Sequence, residues 1–174
     1  MKPSFTLSLA SDGIALLHRA AGGWRSVGKV PLTSKDMHGE LAMLRKTATS
    51  LEPGGLRCKV LIPNDQVRYL TIETPGLSDD ERLVRAETTL EGATPYALSE
   101  LAFDISPDGP RTHIAAVAKE TLEEAEAFAS EHRFHPVSFV AAPGPNDFLG
   151  EPFFGTTQQI ADLIDADDSV EPDG

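Results

Sequence analysis

Apolar positions near the start of the chain fall on every second residue. Phe5, Leu7 and Leu9 alternate with small or polar ones, the period of a strand with one buried face. Asp12-Gly13 predicts a tight hairpin, because that pair supports positive φ. Ile14 to Arg19 reads as the returning strand, Gly22-Gly23 as a second turn, and Trp24 to Leu32 as a third strand. The period then becomes helical. Met37, Leu41, Leu44, Ala48 and Leu51 share one face, with Thr33 or Ser34 as the cap and Pro53-Gly54-Gly55 as the stop. Lys59 to Ile62 predicts a short strand, Pro63-Asn64-Asp65 a turn, and Val67 to Glu73 another strand.

Ser78-Asp79-Asp80-Glu81 has the form of a capping box, and Leu83, Ala86 and Leu90 supply the stripe of the helix it opens. Gly92 and Pro95 end that helix. Strands follow at Leu101–Ile105 and about His113–Ala118, joined by a Pro107-Asp108-Gly109-Pro110 hairpin. Thr121-x-x-Glu124 predicts a second capping box, on a helix turning Leu122, Ala125, Phe128 and Ala129 inward. His135 to Val140 is the last predicted strand, reached by a parallel crossover. From Pro143 onward the chain is rich in Pro and Gly and carries Phe148, Phe153 and Phe154. Ile160, Leu163 and Ile164 suit one short amphipathic turn, and the acidic end after Asp165 has the composition of a disordered tail.

Charge narrows the classes of partner. The net charge is −12 over 174 residues, and no Lys or Arg follows Arg133 while eight acids do, leaving about −4 on residues 1–133. Nucleic-acid backbones need clustered cations, so nucleic acid is not expected as a partner. One cysteine, Cys58, sits in an apolar strand and has no internal disulfide partner, which favours a reducing compartment. Met1-Lys2-Pro3-Ser4 lacks the form of a signal peptide, and no run reaches the ~18 apolar residues that a span needs. A cytoplasmic chain is expected. Its abrupt acidic end reads as that of a fragment, or of a lobe that continues into a linker.

Three antiparallel strands, a helix, a strand, an inserted βαββ unit, a helix and a strand resemble the first lobe of the actin-like ATPase superfamily, whose core is ribonuclease-H-like. The insert resembles more narrowly the PilM-type pilus-assembly proteins and the cytoplasmic domain of type II secretion L (GspL-type) proteins. The residues that carry the likeness are Leu61-Ile62-Pro63, Leu70 through Pro75, Arg85-Ala86-Glu87, Thr94-Pro95-Tyr96, Leu98-Ser99-Glu100, Phe103-Asp104 and Val117-Ala118-Lys119-Glu120. The resemblance implies an α/β lobe over residues 1–142, with a mixed sheet and an inserted subdomain at about 66–112. Residues 143–174 are then a turn-rich acidic tail.

The same resemblance marks a departure. ATP-binding relatives open with an Asp-x-Gly phosphate loop followed by a Lys. Here the hairpin reads Ser8-Leu9-Ala10-Ser11-Asp12-Gly13-Ile14-Ala15, so Ser8, Ala10 and Ala15 stand at the acid, glycine and lysine positions. Mg²⁺ without carboxylates has little to hold it, and no cofactor is expected; ATP with Mg²⁺, completed by a second lobe outside this chain, is the alternative. No nuclease is expected either, because Phe5–Ala10 contains no carboxylate to help hold a metal pair. His132 and His135 have a metal-like spacing, yet with only Glu131 beside them they read as structural, and no metal is expected. No Gly-x-Ser-x-Gly elbow occurs, and no catalytic residue is assigned.

What remains is binding. Pro75, Gly76, Leu77, Pro95, Tyr96 and Leu98 place apolar groups in the loops flanking the inserted helix. PilM-type relatives bind the tail of a membrane-anchored pilus protein near this junction, and the resemblance extends that expectation here. Phe148, Phe153 and Phe154, if exposed, would form a second docking surface. The expected function is a non-enzymatic scaffold or adaptor, cytoplasmic and held at the inner membrane through pilus-assembly or type II secretion partners, with a homodimer left open.

Overall fold

The computed structural model describes residues 2–160, 163 and 168–171. β1 (Phe5–Ala10), β2 (Gly13–Ala20) and β3 (Gly23–Val30) form an antiparallel meander. Gly13 is required by close approach, since a Cβ there would stand 2.7 Å from the Val30 carbonyl oxygen. α1 (Met37–Leu51) crosses over to β4 (Cys58–Leu61), which lies parallel to β1 with Leu7 opposite Val60. The chain then makes β5 (Arg68–Glu73), α2 (Asp79–Ala93), β6 (Leu101–Asp108), β7 (Arg111–Ala118), α3 (Lys119–Glu131), β8 (Pro136–Val140) and β9 (Phe153–Thr156).

Two sheets result, one of six strands in the order β3-β2-β1-β4-β8-β9 and one of three in the order β5-β7-β6. β8 is parallel to β4, as the crossover rule predicts. In the smaller sheet β7 is antiparallel to both neighbours, so β5 and β6 run the same way with β7 between them. The mixed sheet opening with three antiparallel strands, and the βαββ insert, are as expected from the sequence.

β7 joins the two cores. Ala115 and Val117 belong to the main core with Phe5, Leu7, Leu16, Val60 and Phe134. Ile114 and Ala116, facing the other way, pack with Ala86, Leu90 and Leu101. Successive strand residues point to opposite faces, so the stretch Ile114–Val117, buried on both sides, is apolar throughout.

Several local expectations are corrected. α1 is capped by Asp36, whose side chain accepts from the Gly39 N–H at 3.2 Å, because Ser34 is engaged with Glu40 instead. Leu51 and Leu83, expected on buried faces, are 47% and 40% exposed. The Thr121 capping box does not form: β7 runs directly into α3, which begins at Lys119 with Ala118 as an uncapped N-terminus. The β6–β7 ladder continues to Asp108 opposite Arg111, leaving only Gly109 and Pro110 in the turn. Phe153 and Phe154, expected in a turn-rich passage, form a strand. Ile164 and most of the acidic end lie outside the described residues.

The loop after α3 closes with a Schellman motif. The Phe134 N–H donates to the Ala129 carbonyl at 2.9 Å and the Arg133 N–H to that of Ser130 at 3.0 Å. Arg133 takes φ 60, where glycine is preferred. A left-handed conformation costs a non-glycine residue about 1–2 kcal/mol, and glycine's greater freedom when unfolded offsets part of this. Arg133→Gly is expected to stabilise the fold by about 0.5–1 kcal/mol in urea unfolding. A loss of stability would contradict the left-handed geometry.

Candidate functional site

β1 and β4 run parallel, so their C-terminal ends open side by side on a shallow cleft of about 360 Å³. Ser8, Ala10 and Ser11 line one wall, Ile62, Asn64 and Asp65 another, and Ala142 a third. Ser11 and Asp12 make the hairpin turn, Gly13 begins β2, and Ala15 pairs with Ser8 across the ladder. Asp12 is not among the lining residues. Its carboxylate receives the Lys29 ammonium at 2.6 Å, and that hydrogen bond and charge hold it below the usual carboxylate range. That cation is therefore committed to the turn.

Among the described residues the lining supplies no Lys or Arg to offset triphosphate charge and a single carboxylate, Asp65. Asn64 uses both amide atoms within the protein, donating to the Ala142 carbonyl at 2.6 Å and accepting from the Tyr69 hydroxyl at 2.6 Å. The Tyr69 hydroxyl is pushed up to about 12 by burial, so it remains a proton donor. Phosphate transfer depends on positioned cations and metal-holding carboxylates, and this donor set does not fit Mg-ATP.

The other candidate chemistry resolves into packing. The His132 ring lies 4.7 Å from Phe128 and 5.3 Å from His38, while its carbonyl accepts from Arg45 at 3.0 Å. Partial burial, then the charges of Arg57 and Arg45, hold His135 below the ordinary histidine range. No group of three metal-type ligands occurs among the described residues. Cys58 is buried, its thiol donates to the Phe134 carbonyl at 3.3 Å, and burial pushes its pKa up, away from thiolate chemistry.

The loop residues grouped from the sequence do not share one groove. Leu77 lies at the N-terminal end of α2 in a surface depression with Asp80, Val84 and Arg85, next to the exposed Pro75 and Gly76. Pro95 and Tyr96 lie past the helix's other end. Fifteen helical residues separate the two sets, about 22 Å at 1.5 Å per residue. Leu98 packs into the smaller core. Pro95 and Tyr96 instead line a groove of about 290 Å³ with Arg68, Thr94, Leu101 and Ala116, where the insert meets α3. Tyr96 is 41% exposed there.

The aromatic surface expected at Phe148, Phe153 and Phe154 is not present as such. Phe154 is 7% exposed, and Phe148 is half-buried against the same core. Phe153 donates its N–H to the Asp104 carboxylate at 2.9 Å. Burial raises the Asp104 pKa, partly opposed by the Phe153 and Ile105 N–H groups. Ser106 and the Leu149 backbone bond in both directions. The segment after Ala142 thus straps the insert to the main sheet.

Three features went unread in the sequence. Arg82 donates to the carbonyls of Gly109 and Arg111 and to Thr112 Oγ1, clamping α2 to the β6–β7 turn. Thr71, His113 and Asp108 form a row of 2.8 Å hydrogen bonds across β5, β7 and β6. Lys59, on β4, pairs with Glu151 at 2.7 Å and stands 4.8 Å from the centre of the Trp24 ring. The sequence did offer one further signal, for Glu126: four residues after Leu122 and three before Ala129, it falls on the inward face of α3.

Scanned against known protein families the chain matches none, and no curated protein matches it. Solved structures do. The cytoplasmic domain of EpsL, an inner-membrane component of the Vibrio cholerae type II secretion system, superposes with a TM-score of 0.55 at 14% identity, over 78% of this chain. The PilM-PilN type IV pilus biogenesis complex gives 0.54 at 12% identity, over 77% of this chain. A Bacteroides thetaiotaomicron protein with an actin-like ATPase fold gives 0.40, too slight a likeness to carry an argument. The chain spans 55% and 45% of the first two structures' lengths. The fold resemblance read from the sequence is thus shown: the lobe shares its fold with the EpsL cytoplasmic domain and with the PilM-PilN complex.

Proposed function

We propose that this chain is a protein-binding lobe of a pilus-assembly or type II secretion-like inner-membrane machine, acting as an adaptor without nucleotide chemistry. A shared fold does not by itself carry a function. The observation that supports the reading most directly is the donor set of the cleft beside β1: Ser8 and Ala10 stand where the resemblance implies an acid and a glycine, Ser11 lines the cleft beside them, and Lys29 is held by Asp12. The binding role falls to the groove lined by Arg68, Pro95 and Tyr96. Its apolar lining at Pro95, Tyr96 and Leu101 suits a short apolar stretch from the cytoplasmic tail of a membrane-anchored partner, with the exposed Arg68 available to a backbone carbonyl or an acid. Among the described residues no helix is long and apolar enough to cross a membrane.

Calorimetry with Mg-ATP tests the first half. No saturable heat is expected at millimolar nucleotide, and micromolar affinity would favour the alternative of an ATP-binding lobe. Tyr96→Ala tests the second. Because Tyr96 is partly exposed, the fold should tolerate the change, while affinity for the partner's tail falls tenfold or more, about 1.4 kcal/mol, as for an aromatic anchor. Unchanged binding of the tail would remove the groove from the interface.

A further inference from the structure

Glu126 is 8% exposed on the inward face of α3, and its carboxylate takes one hydrogen bond, from the Gln158 N–H at 2.9 Å. Among the described residues no Lys, Arg or His nitrogen lies within ion-pair reach of it. A buried carboxylate with one neutral donor and no counter-charge is costly, and it gains strongly from a cation that arrives with its own donors. Glu126 lines a pocket of about 200 Å³ between α3 and β9. The other lining groups include Phe139, Phe154 and Leu122, all nearly buried, with Thr156 and Lys119. Aromatic and aliphatic walls around a buried anion suit a cation that has a flat or alkyl body.

We propose that this pocket is a receptor for one arginine side chain of a partner polypeptide. The guanidinium pairs with Glu126, and the methylene stem lies against Phe139, Phe154 and Leu122. Arginine is favoured over lysine because its planar fork can use both carboxylate oxygens and is more weakly hydrated, so it loses less on entering an apolar pocket. Lys119 lines the same pocket without pairing with Glu126 and works against the incoming charge. A chain of net charge −12 adds a long-range attraction for basic segments. The site is separate from the Tyr96 groove, and its test does not depend on that reading.

N-acetyl-L-arginine amide stands in for the side chain, its citrulline counterpart is the uncharged isostere, and agmatine is the small-molecule cation. Amide chemical shifts at Gln158 and along β9 report occupancy. The arginine amide is expected to shift these signals saturably, and the citrulline amide is not. Glu126→Gln should weaken binding about tenfold or more, the loss expected for a charge-assisted pair. Lys119→Ala, on the exposed rim, should tighten binding by about threefold through loss of a like charge; it keeps the test alive should the Glu126 variant fold poorly. Equal binding of citrulline, or binding unchanged in both variants, overturns the proposal. So does the absence of saturable shifts, or a response to agmatine alone.

Discussion

Phe154→Ala is expected to destabilise the protein by about 4 kcal/mol, within the range for deleting a buried aromatic ring. The residue is 7% exposed and packs into the main core from β9, the last strand of the six-stranded sheet. Removing its ring leaves a void beside Phe139 on β8 and Leu122 on α3 that these neighbours cannot close. Phe153, half-buried one residue earlier, should cost far less on truncation. The contrast is informative because a solvent-facing aromatic docking surface predicts the opposite: a stable variant at both positions with lost partner binding. Urea unfolding of the two variants decides it. A Phe154 variant within about 1 kcal/mol of the parent would show that β9 is not part of the folded core.

The second large effect concerns Lys59 and Glu151. Their side chains are 5% and 18% exposed and meet at 2.7 Å. Deleting Glu151 leaves an ammonium in the interior, where several kcal/mol of hydration have been given up. Glu151→Ala is therefore expected to cost about 3 kcal/mol, at the lower end for breaking a buried pair. The remaining contacts of Lys59 recover part of the loss, among them the Trp24 ring 4.8 Å away. Lys59→Met should cost less than about 1 kcal/mol, since an apolar side chain of similar length fills the site and Glu151, nearer the surface, can be rehydrated. Measured by chemical denaturation, equal costs for the two variants would refute this asymmetry. Because Glu151 belongs to the strap joining β8 to β9, Glu151→Ala should also loosen the Ser106–Leu149 contact, seen as faster amide exchange at Leu149.

The order of elements was legible because it rests on local signals. Phe5, Leu7 and Leu9 alternate, Gly13 must turn, and Ser78 with Glu81 closes a capping box that the structure contains. Ser8, Ala10 and Ala15 could be named as phosphate-loop positions through the resemblance, as an expectation from the sequence. That Asp12 is taken by Lys29, seventeen residues on, could not be, because the β2–β3 register decides which cation reaches the turn.

The candidate surfaces were less legible, for identifiable reasons. Phe148, Phe153 and Phe154 sit among prolines and glycines, and four residues of strand carry too little periodicity to announce themselves. β9 exists only because β8 offers an open edge. Pro75–Leu77 and Pro95–Leu98 looked like one surface because both flank α2, yet the length of that helix holds them apart. Glu126 was hidden among the acids of α3, four of which lie from Glu120 to Glu131 in addition to it; only the helical phase marks it as inward.

By itself the sequence determined the succession of strands and helices as far as β8 and the acidic balance, since the first depends on residues close together in the chain and the second on composition alone. Tertiary structure decided which side chains became buried, paired or left facing a cavity. Burial and ion pairing are set by neighbours that arrive from distant segments: Glu151 beside Lys59, Phe154 beside Phe139, and Glu126 lining a pocket with no ion-pair partner among the described residues. The free energy of a charge or a ring depends on that surrounding medium, which no local pattern encodes.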